Sequence, residues 1–228
     1  MHVPDGFLDA PTSLVTAAVA ATAIAVSLRG ARRDLDDRIA PLAGLVATFV
    51  FATQMLNFPV AGGTSGHLMG GALAAVLVGP YAAVLCLTVV LVVQSLLFAD
   101  GGITALGTNV LLMGIVTVVV GAVVFRGAQL VLPRRTSLVA PAAALGGLAS
   151  VVASAATFVV LYAAGGAAPI PIDTLLTAMV GVHVLIGLGE AAITFLVVAS
   201  IVSVRPDLVH GARRVLAVRE LETRVVAA

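Results

Sequence analysis

The 228-residue chain has no lysine, no tryptophan and one cysteine, and only 10% of its residues are charged. Each scarcity excludes something. Without lysine there is no Gly-x-x-x-x-Gly-Lys phosphate loop, so the chain carries no ATPase of that kind. A single cysteine, Cys86, cannot form an intrachain disulfide, and within its apolar run it reads as a small buried hydrophobe. Soluble domains carry about 25% charged residues. With 61% hydrophobic residues and a mean hydropathy of +1.17, no water-soluble core could bury this much apolar surface. The composition is that of an integral membrane protein. A net charge of +1 says nothing about a partner, and no nucleic acid is expected.

What is present is a series of apolar runs. A bilayer core of about 30 Å takes about 20 residues of helix. The runs predict spans at 11–28, 39–57, 67–79, 81–98, 106–132, 137–164 and 173–204. The expected fold is therefore an all-α membrane protein of seven transmembrane helices. The third run, from His67 to Gly79 ahead of Pro80, is too short to cross unless the loop before it dips inward. Backbone at that depth is tolerated only inside protein or beside a cavity.

Arginine follows the first span, surrounds the end of the fifth and follows the seventh, and is absent from 1–10, 58–66, 99–105 and 165–172. Positive charge stays inside, which puts the N-terminus outside and the C-terminus in the cytoplasm. One transmembrane domain, 1–204, is expected to bind a ligand with the help of an insertion loop, 1–10. The charged segment 205–228 is expected to be a cytoplasmic tail, helical at the inner surface, with His210 solvated.

The most specific signal is Met1-His2-Val3-Pro4-Asp5-Gly6-Phe7-Leu8. No basic region, short apolar stretch and cleavage site precede the first span, and histidine is too large at position 2 for removal of the initiator methionine. The expectation is a mature chain whose free amine stands one residue before an imidazole. The amine of Met1, the amide nitrogen of His2 and its imidazole can wrap a metal in fused five- and six-membered rings. One more imidazole completes a square of nitrogens, the geometry of Ni(II) or Cu(II). His67, in Gly63-Thr64-Ser65-Gly66-His67-Leu68, is the candidate. Pro4 and the Asp5-Gly6 turn fold the terminus back, Phe7 and Leu8 supply an apolar plug, and Asp9-Ala10-Pro11 starts a helix.

Other polar residues at membrane depth are few. Gln54 and Asn57 share a face at the outer end of span 2, suited to bonding the terminal loop, a liganding histidine or simply another helix. Asp100, in Asp100-Gly101-Gly102, either caps the next helix or lends negative potential to cation capture, and Asn109 lies on the same outer side. His183 and Glu190 stand seven apart on one stripe of span 7, about 10 Å apart along the axis. A carboxyl at that depth is either a hydrogen-bond anchor or an element of an ion pathway. Ala17, Ala21 and Ala25 make a smooth strip on span 1, serving either internal packing or a second membrane subunit.

The terminal motif, Asn57-Phe58-Pro59-Val60, Gly66-His67-Leu68-Met69-Gly70-Gly71, Ala99-Asp100-Gly101-Gly102-Ile103-Thr104-Ala105-Leu106-Gly107 and Gly189-Glu190-Ala191 with Ile193-Thr194 together resemble the CbiM/NikM family. The members are substrate-specific membrane components of energy-coupling factor importers for cobalt and nickel. The resemblance spans nearly the whole chain. It implies a seven-helix fold with the N-terminal loop inserted among the helices. It implies Co(II) or Ni(II) as transported ligand, with no separate cofactor, held by Met1, His2 and His67. It implies partners: a transmembrane coupling subunit, cytoplasmic ATPases and a small accessory membrane protein, in a prokaryotic plasma membrane. Two rival readings stand beside it. Gly63-Thr64-Ser65-Gly66 fits the serine motif of rhomboid intramembrane proteases, with His183 as base, although the Trp-Arg pair usual in rhomboids is missing. The other rival is a self-sufficient metal permease coupled to ions through Glu190.

Overall fold

The computed structural model describes residues 1–34, 39–56, 58–59 and 65–218. Helices account for almost all of it. They are α1 (Ala10–Asp34), α2 (Ile39–Gln54), α3 (Gly71–Val78), α4 (Pro80–Leu97), α5 (Leu106–Val131), α6 (Val139–Gly165) and α7 (Ile172–Val204). Five contain a stretch long and apolar enough to cross a membrane, while α2 and α3 are shorter. The run expected as a third span is thus an eight-residue helix preceded by an irregular loop. One exception to the all-α expectation is a two-residue hairpin, β1 (Phe58–Pro59) antiparallel to β2 (Ser65–Gly66). Asn57 and the stretch 60–64 lie outside the described residues.

Punctuation in the sequence places the helix ends. Asp9 accepts from the Thr12 amide at 2.9 Å, capping α1, and Pro11 occupies its first turn, where no amide is missed. Gly79, at φ 88°, breaks α3 from α4, and Pro80 opens α4. Every residue of α3 is buried. A helix apolar on all sides belongs at the centre, and small residues let its neighbours close in. A Cβ on Gly71 would strike Thr117 of α5, and one on Gly121 would meet Ala72. Likewise Gly107 of α5 sits hard against Ala17 of α1, so that part of the alanine strip serves internal packing, while Ala21 is exposed. A π-helical stretch, Val110–Val116, interrupts α5, where Ser154 of α6 donates to the Leu112 carbonyl at 2.8 Å.

The buried apolar residues form two cores. One joins α3, the start of α4 and the lower part of α5 to Val209, Ala212 and Val215. Residues 205–218 are therefore docked onto the helix ends through two 3-10 turns and a helical stretch at 213–218. The expectation of a solvated His210 does not hold: its ring packs over Gly79, and Gln129 fixes the adjacent Gly211 carbonyl at 2.9 Å. The second core holds Met1, Val3, Phe7 and Leu8 with Met69, Met113, Phe158 and Met179. The N-terminus lies inside the helix bundle.

Candidate metal site

The first eight residues are held by a short backbone system. Val3 donates to Asn109 Oδ1 at 2.7 Å, and its carbonyl accepts from Asn109 Nδ2 at 3.1 Å and from the Gly102 amide at 2.9 Å. Asp5 Oδ1 accepts from the amide and hydroxyl of Thr104 at 2.8 and 2.5 Å, contacts that hold the carboxyl below its ordinary range. Gly6, at φ 75°, makes the turn. Leu8 then bridges Gly166, and the flanking bonds are Ala167 N–H to Phe7 O at 3.0 Å and Asp9 N–H to Gly165 O at 2.7 Å. Phe7 stacks on Phe158 at 5.7 Å and meets Tyr162 at a tilt, 5.4 Å between ring centroids. The expected apolar plug is thus seated on α6.

This system drives Met1 and His2 inward, to 2% and 8% exposure. Burial pushes the Met1 amine down from 8.0 to about 4, with the Asp100 carboxylate opposing. At neutral pH the folded chain therefore presents an amine lone pair. The unfolded chain binds more protons between pH 4 and 8, so this group costs stability fully below pH 4 and not at all above pH 8. Burial also lowers the His2 imidazole, again against Asp100, whose Oδ1 lies 2.5 Å from His2 Nδ1.

His67 stands in the loop before α3, fully buried, with its ring centroid 4.6 Å from that of His2. Its Nδ1 lies 2.8 Å from the Leu68 carbonyl. Because a carbonyl only accepts, Nδ1 carries the proton and Nε2 keeps a lone pair. Nε2 of His2 and Nε2 of His67 are both buried with no hydrogen-bond partner among the described residues. The next residues of the loop are clamped from two helices. Glu190 of α7 accepts the Met69 amide at 2.6 Å on Oε2 and the Gly70 amide at 2.9 Å on Oε1, and Gln54 of α2 donates to the Met69 carbonyl at 2.8 Å. Gly70 needs its freedom there, at φ 76°.

The structure thus brings Met1, His2 and His67 together and gives Asp100, Asn109, Gln54 and Glu190 supporting positions, while Asn57 lies outside the described residues. Asp100 faces His2, Asn109 splints Val3, and Gln54 and Glu190 hold the loop that carries His67. Glu190 is an anchor for backbone amides here. His183 is fully buried, with Nδ1 2.7 Å from the Met179 carbonyl. Gln94, which sequence reasoning passed over, is also fully buried, and its side-chain amide has no hydrogen-bond partner among the described residues. Its signal was present, an amide in the apolar run of α4 six residues before Asp100, and its backbone carbonyl accepts the Asp100 amide at 3.1 Å. No cluster of three His, Cys, Asp or Glu side chains suited to a metal occurs among the described residues.

Comparison with known proteins agrees in kind. A family model described as the cobalt uptake substrate-specific transmembrane region matches residues 2–208. A protein of Haloquadratum walsbyi named for metal transport is 41% identical, over 92% of this chain and 93% of its own. The fused nickel transport protein NikMN of Rhodobacter capsulatus is 38% identical, over 100% of this chain and 69% of its own. A crystal structure of a transition metal transporter superposes with a TM-score of 0.82 at 32% identity, covering 90% of this chain and 93% of that one.

Proposed function

Because the chain belongs to the CbiM/NikM family of cobalt and nickel transport proteins, we propose that it is the substrate-capturing component of an energy-coupling factor importer. In this proposal Co(II) or Ni(II) is taken from the outer side by four nitrogens: the Met1 amine, the amide and Nδ1 of His2, and Nε2 of His67. The chain is a multi-pass membrane protein of a transport family, not an enzyme. The protease reading of Ser65 and His183 is discarded on that ground.

One observation carries the proposal. A buried amine that is neutral at pH 7 shares a pocket with two buried imidazoles whose rings are 4.6 Å apart. Nitrogen ligands must be free of protons before they bind, and burial has already stripped the amine. Of the two ring nitrogens of His2, only Nδ1 closes a six-membered ring with its own amide. Loading therefore exchanges the Asp100 contact of Nδ1 for the ion. Four nitrogens with an ionised amide suit Ni(II) and, more strongly, Cu(II). Cobalt and nickel both stand among the names of the family.

Apparent metal-binding free energies of about 10–16 kcal/mol over four ligands come to roughly 100- to 1000-fold in affinity per ligand. His67→Ala should therefore weaken Ni(II) and Co(II) binding by roughly that factor, measured by competition titration of the purified protein. An unchanged affinity would remove His67 from the site.

The rest of the proposal concerns topology and partners. All seven helical segments lie in the membrane, α3 as a buried core helix, with the N-terminus outside, the C-terminus cytoplasmic and the plasma membrane as the location. The chain has no nucleotide loop, and Glu190, its deep carboxyl, is committed to two amides. Power must come from a coupling subunit and its ATPases, with a small accessory membrane protein assisting. In proteoliposomes the chain alone should accumulate no metal against a gradient. Uptake should appear with those subunits and stop when the ATPase is inactivated. ATPase-independent accumulation would favour the permease reading instead.

A further inference from the structure

We propose that His183 is a second metal-contacting residue, whose Nε2 forms with that of His67 a two-imidazole holding site for the ion as Met1 and His2 release it. This inference rests on the capture site proposed above and deepens it.

Three observations support it. The first is the state of the ring. His183 is fully buried, its Nδ1 is tied to the Met179 carbonyl at 2.7 Å, and its Nε2 meets no donor among the described residues. Nδ1 therefore holds the proton, and a lone pair on Nε2 points away from the α7 backbone. A core histidine kept for packing would have both nitrogens satisfied, because leaving a buried acceptor unpaired is costly. Metal-binding histidines characteristically donate their other ring N–H to a carbonyl or carboxylate. His67 and His183 share that arrangement.

The second observation is position. Glu190 lies seven residues after His183 on the buried stripe of α7, about 10 Å along the axis. Its carboxyl grips Met69 and Gly70. His67 is two residues before Met69, and extended chain gains about 3.3 Å per residue. The clamp at Glu190 thus lets His67 climb back toward the level of His183. Met69, two residues after His67, and Met179, one turn before His183, pack in the same core as Met1.

The third observation is composition. The hydrophobic residues packed with Met1 include the thioethers Met69, Met113 and Met179. Among the described residues Nε2 of His2, His67 and His183 has no hydrogen-bond partner, and imidazole suits a borderline cation, while the other polar side chains against this segment are Asp100, Asn109 and Gln54. A tight square of four nitrogens captures an ion but does not readily let it go. Two fixed imidazoles, left behind when the terminal segment withdraws, bind more weakly and keep the ion from returning outward. Further along the same stripe Thr194 Oγ1 is again buried with no hydrogen-bond partner among the described residues, so the polar face continues past Glu190.

The test uses the full-length protein with its chelate broken. The His2→Ala protein, His2→Ala/His183→Ala and His2→Ala/His67→Ala are each titrated with Ni(II), and the Cu(II)-loaded forms are examined by electron paramagnetic resonance for coordinated imidazole nitrogens. His2→Ala should keep a weak site showing two imidazoles. Loss of either remaining histidine should weaken it at least about tenfold and reduce the imidazole count to one. His183→Gln in the same background should give the same spectral change, which reports on the metal independently of any loss of protein stability. Unaltered affinity and an unaltered imidazole count in the His183 double variants would overturn the inference. Undiminished binding by His2→Ala itself would instead overturn the capture site.

Discussion

A polar tag fused ahead of Met1 is expected to abolish high-affinity Ni(II) and Co(II) binding, whereas the same tag after Ala228 should leave it unchanged. The tag removes the amine as a donor and forces Met1, at 2% exposure, out of the core it shares with Met69 and Met113. Loss of the amine alone is worth roughly 100- to 1000-fold, and losing its chelate ring with the His2 amide adds a comparable factor. Displacing the Met1 side chain forfeits about a further 1.5–3 kcal/mol of burial. The length of the tag matters. A single added residue is a poor control, because an amine two residues ahead of a histidine can chelate through two amides. Competition titration of the tagged protein, before and after proteolytic removal of the tag down to Met1, makes the comparison internal. Unreduced affinity in the tagged protein would show that the amine is no ligand.

Much of this was legible in the sequence because the membrane simplifies the reading. With charge nearly absent from the apolar runs, Pro11, Pro80 and Gly79 stand out as boundaries, and the expected spans fall within a few residues of the helices, α1 apart. That helix continues to Asp34, beyond the expected end at 28, because arginines at its end can remain helical outside the apolar layer. Coordination chemistry singled out His67 as the partner of Met1-His2, and the structure places the His2 and His67 rings 4.6 Å apart.

What was not legible is contact across long sequence distances. Nothing local says that Asn109 pairs with the backbone of Val3, 106 residues away, or that Asp100 turns to His2 and not to a helix end. The partners of Glu190 are main-chain amides 120 and 121 residues off, and backbone amides leave no trace in residue type. The two-residue hairpin and the π-helical stretch escaped for a related reason. Both are set by a neighbour's geometry, and the π-helical stretch runs through residues whose apolar pattern is equally that of an α-helix.

The Glu190 clamp has the next largest consequence. Its two oxygens satisfy the Met69 and Gly70 amides inside the protein, at 2% exposure. Glu190→Ala leaves both donors buried and unpaired, at about 1–3 kcal/mol each, and opens a void in α7. The loop then hangs on Gln54 and its own hydrogen bonds, and His67 loses its fixed place beside His2. Groups that orient a metal-binding histidine typically contribute 10- to 100-fold in affinity. Glu190→Ala should therefore weaken Ni(II) binding by about that factor and lower the thermal unfolding midpoint in detergent. Glu190→Gln keeps the shape and one accepting oxygen, so it should fall between wild type and Ala in both measurements. If Glu190 instead carried a coupled proton, Gln would be as damaging to transport as Ala while binding and unfolding stayed at wild-type values. That pattern would replace the anchor by an ion pathway. The two accounts are separated by measuring affinity, unfolding and reconstituted uptake on the same three proteins.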